Sequence, residues 1–197
     1  MISPNAIDEL KDIVGPEYLK TSSDDISEYA TDGTKLEYPP EAVAFPATSE
    51  EISRIMLLAN RERFPVIPRG GGSGMTGGAL AVQGGLVLSL ERFNRILVID
   101  RENLIAKVEP GVITERLQQE VEKLDLFYPP DPASADVSTL GGNAAECAGG
   151  LRGLKYGVTR DYILGLTVVL PTGEIIKTGV DTMKGVAGYD LTRLIVG

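Results

Sequence analysis

The period of the apolar positions changes several times along the chain, and each change marks an element. Ile7, Leu10, Ile13 and Val14 recur at helical spacing behind Ser3-Pro4, a hydroxyl cap with proline at the first helical position. Gly15-Pro16 stops that helix. Residues 20–40 have no period and are acidic and rich in turn formers. They read as an extended arm across the surface, with Tyr29 and Asp32 its only candidates for a specific role. Val43-Ala44-Phe45 predicts a short strand, and Thr48-Ser49-Glu50-Glu51 is a capping box ahead of Ile52, Ile55, Met56 and Ala59 on one helical face. Phe64-Pro65-Val66-Ile67 then predicts a buried strand. The reading so far is an N-terminal helix and arm over 1–40 and a small βαβ subdomain over 41–80.

Beyond residue 80 the pattern predicts mainly antiparallel pairing. Leu86-Val87-Leu88-Ser89-Leu90 is a strand, and Ile96–Asp100 turns through Arg101-Glu102-Asn103 into Leu104–Val108 as a hairpin. Pro110-Gly111 breaks the run. Thr114 is then placed to cap a helix carrying Leu117, Val121 and Leu124. A last hairpin joins 163–170 to 174–177 around Pro171-Thr172-Gly173. Residues 81–197 thus form a larger, mainly antiparallel subdomain flanked by helices, and the fold class is α+β. The chain stops on Leu194-Ile195-Val196-Gly197 without a polar tail, which reads as a C-terminal truncation inside a structured region.

Between the strand ending at Ile67 and the one opening at Leu86 lies Pro68-Arg69-Gly70-Gly71-Gly72-Ser73-Gly74-Met75-Thr76-Gly77-Gly78, with six glycines. Glycine reaches positive φ without a Cβ clash, so such a run can curl successive N–H groups toward one centre. A nest of that kind binds an anion, and a phosphate or pyrophosphate has the right size. The competing reading is a mobile surface loop. Gly72, Gly74 and Gly77 also satisfy the spacing of a dinucleotide fingerprint, but that motif needs a helix to open at the glycines. The following Ala79-Leu80-Ala81-Val82-Gln83-Gly84-Gly85 is too rich in glycine to supply one. A nucleotide P-loop is excluded as well, since no Gly-Lys-Ser/Thr is present. What remains is a backbone-lined phosphate loop, with Arg69 as a candidate helper.

A second stretch carries related chemistry. Tyr128-Pro129-Pro130-Asp131-Pro132 is stiffened by its prolines, and Ser138-Thr139-Leu140-Gly141-Gly142-Asn143 leads into an alanine-rich segment ending at Gly149-Gly150. Hydroxyls and paired glycines before a short helix describe an anion-facing helix start or simply a capped helix. A dinucleotide needs contacts on both sides of its pyrophosphate, so the two stretches reinforce each other. The expectation is that their main-chain amides converge on one diphosphate.

Composition narrows the chemistry further. A net charge of −9 argues against nucleic acid or an anionic membrane surface as partner. No apolar run is long enough to span a membrane, and the N-terminus lacks a signal pattern. The lone Cys147 forms no internal disulfide and suits a cytoplasmic location. There is no histidine at all, so no His-based acid/base pair, triad or metal cluster exists in the chain. Its contribution is expected to be binding more than proton transfer.

Taken together, the chain resembles the flavin-binding (PCMH-type) domain of the vanillyl-alcohol oxidase / p-cresol methylhydroxylase superfamily. It is most similar there to the branch that holds D-lactate dehydrogenase and the FAD-binding subunit of glycolate oxidase. The motifs that carry the resemblance are the glycine loop 68–78, Tyr128–Pro132, Thr139–Asn143, Lys155-Tyr156-Gly157-Val158-Thr159-Arg160-Asp161 and Gly188-Tyr189-Asp190-Leu191. The resemblance implies an FAD-dependent oxidoreductase acting on a 2-hydroxy acid, with hydride passing from the substrate Cα to the flavin N5. Pro68, Arg69, Gly70, Gly71, Gly72, Ser73, Gly74, Met75, Gly77 and Gly78 would wrap the FAD pyrophosphate. Pro129, Asp131, Pro132, Ser138, Thr139, Gly141, Gly142 and Asn143 would line the path to the flavin ring, with Gly149, Gly150, Tyr156 and Gly157 closing another side.

Some members tether their flavin through a histidine, which this chain lacks, so the FAD is expected to be non-covalent. Members also continue into a segment that completes the pocket and a cap domain that holds the substrate and supplies the acid/base residues. Those parts are absent here, and the chain alone is expected to hold FAD weakly or not at all and to be inactive. A second flavin subunit and an iron–sulfur subunit are the partners the resemblance implies. Three other readings stand beside it: a non-redox nucleotide or phosphate module, a superfamily member acting on a sugar alcohol or an ether-lipid precursor, and a pure interaction protein.

Overall fold

Helix α1 (Pro4–Val14) begins at Ser3, whose hydroxyl accepts from the Ala6 amide at 3.2 Å, in a computed structural model that describes residues 1–182 and 185–197. The chain divides into two units. The first comprises Met1–Phe93 and Val169–Ile175, the second Asn94–Val168 and Ile176–Gly197.

The first unit continues through β1 (Leu19–Lys20), α2 (Ser23–Ile26), β2 (Ala42–Ala44), α3 (Ser49–Glu62), β3 (Val66–Arg69) and β4 (Leu86–Ser89). Thr48 caps α3 by accepting from the Glu51 amide at 3.1 Å, while the Glu51 carboxylate reaches back to the Ala47 amide at 2.7 Å. The four strands form one sheet in the order β1-β2-β4-β3. β4 runs parallel to both neighbours, Ala42 pairing with Leu86 on one side and Val66 on the other. This corrects the expected antiparallel turn after the glycine loop: β4 completes the first sheet and lies inside it.

The reason is double burial. Leu86 and Leu88 pack with Leu10, Ile55 and Ala44 on the face covered by α1 and α3. Val87 points the other way, into a cluster with Ile26, Tyr29, Val43 and Phe45. A strand buried on both faces suits the middle of a parallel sheet, where no polar alternation is needed. The same cluster corrects the reading of residues 20–40 as a surface arm, because Ile26 and Tyr29 are needed to cover that second face. Glu41 ties the segment down further, accepting from the amides of Ile2 at 2.6 Å and Gly85 at 3.0 Å. The turn 170–174 also belongs to this unit: the Gly173 and Pro171 carbonyls accept from Ser53 and Asn60 of α3 at 2.5 and 2.7 Å.

In the second unit, β5 (Ile96–Asp100) and β6 (Ile105–Val108) pair antiparallel with an irregularity between Ile96 and Val98. Helices α4 (Thr114–Glu122), α5 (Leu140–Glu146) and α6 (Gly153–Tyr156), strands β7 (Gly165–Val169) and β8 (Ile175–Gly179), whose end residues Val169 and Ile175 belong to the first unit, and α7 (Leu191–Ile195) complete the order. Val112, Leu117, Val121 and Leu140 form the core, with Ile96, Ile99 and Val108 against it. Thr114 is not the cap of α4, as its sequence position suggested; Ile113 is, and Thr114 is fully buried. Its hydroxyl is turned inward, donating to the Ser138 carbonyl at 3.0 Å and accepting from Asn143 Nδ2 at 2.6 Å. Among the described residues no helix is long and apolar enough to cross a membrane.

The β5–β6 pair is closed by Glu109. Its two carboxylate oxygens accept from the Arg95 guanidinium at 2.6 and 3.0 Å and from the Arg95 amide at 2.8 Å. The Arg95 side-chain bonds hold the Glu109 carboxyl below its usual range, against an opposing effect of burial. A depressed carboxylate pKa stabilises the fold above the unfolded-state value, about 4.3, and that contribution is lost as pH falls through the lower folded-state value. Urea unfolding of the native chain and Glu109→Gln should therefore differ at pH 6, with the gap narrowing steadily below about pH 4. A constant gap would show that the charge on Glu109 contributes nothing.

Candidate cofactor site

The glycine loop leaves the carboxyl end of β3 and returns to the sheet through β4. Among the described residues, the amides of Gly71, Gly72, Ser73 and Gly74 donate to no backbone carbonyl. A buried backbone donor without a partner is rare, but these residues, half-buried or exposed, are open to solvent or ligand. Gly72 is in the left-handed region at φ 65°, and a Cβ there would overlap the Arg69 guanidinium. Arg69 therefore lies against the loop itself. It is 8% exposed, stands 5.6 Å from the centre of the Tyr29 ring, and leaves Nη1 buried without a hydrogen-bond partner among the described residues.

Burial lowers the Arg69 pKa from its ordinary value, opposed by electrostatic interaction with Tyr29, Asp32 and Glu91. Tyr29 is shifted upward, chiefly by burial and then by the Glu91 carboxylate that accepts its hydroxyl at 3.1 Å. The guanidinium is thus a cation in a poorly solvated position, where its field on a neighbouring anion is screened less than at the surface.

The loop glycines have different reasons to be glycine. Backbone conformation accounts for Gly72 and for Gly77 at φ 78°. Gly74 has neither reason. Its φ is not positive, and a Cβ built on it would meet no described atom within 4 Å. An alanine would fit there as the protein stands, so the space in front of Gly74 is open. Close approach of a ligand to the backbone is the standard physical reason for glycine at such a position.

The second glycine-rich stretch differs. Thr139 caps α5, and Gly141, Gly142 and Asn143 lie inside its first turn. The amides of Leu140 and Gly141 donate to the carbonyls of Val112 and Pro110 at 2.9 and 2.7 Å, and Gly142 donates to the Thr139 hydroxyl at 3.2 Å. These donors are taken within the second unit, which corrects the expectation of an anion-facing helix start. Gly141 is glycine for packing, since a Cβ would come within 2.5 Å of Pro110 Cβ.

Other expected residues of this unit do gather. Asp131 pairs with Arg152 at 3.3 Å, and Arg152 stands 5.0 Å from the Phe127 ring, which meets Tyr156 edge-on at 5.6 Å. Gly150 lies so close to the Asp131 carbonyl that a Cβ would overlap it, and a Cβ on Gly157 would crowd the Asp161 carboxylate in the same way. Gly149 packs near Val158. Pro130 is buried with Pro129, and Gln118 Nε2 donates to the Pro130 carbonyl at 2.9 Å. Tyr128 beside them is pushed up to about 12, by burial first and then by Tyr162, and stays a neutral phenol. Arg152 and Gln118 had no signal in the sequence, because their partners are set by the fold alone.

Over residues 40–179 the sequence matches the FAD binding domain family. The chain belongs to that family. This FAD-binding chain is 50% identical over 198 residues to glycolate oxidase subunit GlcD of Bacillus subtilis (strain 168), spanning 100% of this chain and 42% of that protein. It is 40% identical over 199 residues to a D-lactate dehydrogenase of Anaerostipes hadrus, spanning 100% of this chain and 41% of that protein. Among solved structures, an alkyldihydroxyacetonephosphate synthase superposes with a TM-score of 0.84 at 26% identity, over 99% of this chain and 40% of its own. Substrate-bound p-cresol methylhydroxylase gives 0.78 at 25% identity, over 96% and 37%. The PCMH-type fold implied by the sequence motifs is the fold found. The chain spans less than half the length of these relatives. The open amides of residues 71–74, the space at Gly74 and the buried cation at Arg69 fit the diphosphate of FAD.

Proposed function

We propose that this chain binds FAD non-covalently and is the cofactor module of an oxidoreductase that acts on a 2-hydroxy acid. The observation that carries the reading is the stretch from Gly71 to Gly74, whose amides donate to no backbone carbonyl among the described residues and whose Gly74 has no reason of its own to lack a side chain. FAD bound there supplies two-electron redox chemistry, while the protein holds and orients it. Residues 69–78 bind the pyrophosphate. Pro129, Asp131, Pro132, Ser138, Thr139, Asn143 and the segment 149–157 contribute through side chains and packing, because the α5 amides are already occupied. The absence of histidine is the support for non-covalent attachment. Likeness to a glycolate oxidase subunit and to a D-lactate dehydrogenase supports the substrate class, and the first of these, a subunit by name, supports an assembly with other subunits. Substrate contacts and proton transfer would then reside in parts of a longer protein.

Titration of the chain with FAD, followed by the flavin's visible band and fluorescence, tests this. FAD should bind about tenfold or more tighter than ADP, because the ring adds contacts that ADP lacks. Equal affinities would favour a non-redox nucleotide module. No spectral change up to ~1 mM FAD, where binding is worth only about 4 kcal/mol, would overturn the reading.

A further inference from the structure

Residues 30–38 fold into a tight turn whose tip rests on the glycine loop. The Tyr38 amide donates to the Ala30 carbonyl at 2.8 Å, and Thr31 bridges to Glu37. Inside that turn Asp32 Oδ1 accepts from the Thr34 amide at 2.9 Å and from its hydroxyl at 2.6 Å. This arrangement leaves Gly33 at the apex. Its amide donates to the Gly74 carbonyl at 3.0 Å, and a Cβ on Gly33 would lie 2.7 Å from the carbonyl oxygens of both Ser73 and Gly74.

That contact has a directional consequence. In a trans peptide the C=O and the following N–H point opposite ways, and among the described residues there is no cis bond. With the Ser73 and Gly74 carbonyls both against Gly33, the amides of Gly74 and Met75 both face away from it. Two successive amides aimed to one side are the beginning of an anion nest. Asp32 and Arg69 are each at least nine-tenths buried, and each keeps one polar atom, Oδ2 and Nη1, without a partner among the described residues. The Asp32 charge acts on the Arg69 guanidinium. The two charges offset one another, so the turn adds little net repulsion toward a diphosphate.

We propose that the Asp32–Gly33 turn is a positioning unit for the glycine loop, and that Gly33, outside the glycine motif, sets the affinity for the diphosphate. The inference rests on the FAD reading above. Gly33 has no positive φ, so alanine is unstrained in its own backbone and its cost falls on the two loop carbonyls.

The test is Gly33→Ala in the 197-residue chain, with Asp32→Ala as a second variant that loosens the turn without adding bulk. Amide chemical shifts and heteronuclear NOEs of residues 70–78 report the loop, thermal unfolding reports the fold, and titrations with FAD and ADP report binding. Gly33→Ala should move the loop resonances, leave those of α1 and α3 in place, and weaken both ligands about tenfold or more, with Asp32→Ala acting in the same direction. Unchanged loop resonances overturn the positioning role. Shifted resonances with unchanged affinities overturn the link to binding. If the native chain binds neither ligand, the FAD reading falls and takes this inference with it; a loss confined to the variants leaves the FAD reading intact.

Discussion

Gly74→Ala is expected to weaken FAD binding about tenfold or more, a loss of roughly 1.4 kcal/mol, while the ligand-free chain unfolds within about 0.5 kcal/mol of the native value. The separation follows from the space around Gly74. A methyl group there touches no described atom, and the backbone needs no left-handed conformation. Substitution should even restrict the unfolded chain slightly, which acts in the stabilising direction. The only partner the methyl can obstruct is one that approaches the loop amides. Gly72→Ala is the contrast, since its Cβ strikes Arg69 and its φ disfavours alanine, so stability and affinity should fall together. Isothermal titration and urea unfolding on both variants check the pair. Undiminished FAD affinity in Gly74→Ala would remove the loop from the cofactor site.

Leu86→Ala should cost about 2–5 kcal/mol in unfolding free energy. Leu86 is completely buried at the start of β4, paired in register with Ala42 and Val66 on its two sides. Its neighbours Leu10 and Ile55 come from α1 and α3, two helices that close over the same face. The sheet holds those strands on both sides, so the surroundings can collapse only partly into the void. Val82→Ala, at a largely exposed position of the same connection, should stay within about 0.5 kcal/mol. Equal effects at the two sites would mean that β4 is not the centre of the first unit.

The helices were legible because their ends are written locally: Ser3-Pro4 and Thr48 with Glu51 each satisfy helix donors within a few residues. Strand direction was not. Leu86-Val87-Leu88 shows no alternation, which is the mark of a strand buried on both faces, yet period alone does not name its neighbours. The glycine loop stood out by composition alone, and among the described residues the amides of residues 71–74 donate to no backbone carbonyl. By contrast, the amides at the start of α5 are claimed by the carbonyls of Pro110 and Val112, and no local pattern around Gly141 announces distant acceptors. Asp32 stood out as a candidate, whereas Gly33 next to it did not. Its neighbours are Ser73 and Gly74, far along the chain.

The position of β3 at the end of the sheet order bears on self-association. Leu86 and Leu90 donate to the carbonyls of Pro65 and Arg69, so those two residues face inward, and by alternation Pro68 turns its backbone outward. Proline has no N–H to offer there. A strand approaching this end of the sheet would meet a missing donor beside the loop, which blunts edge-to-edge aggregation while the inner ladder keeps all of its rungs.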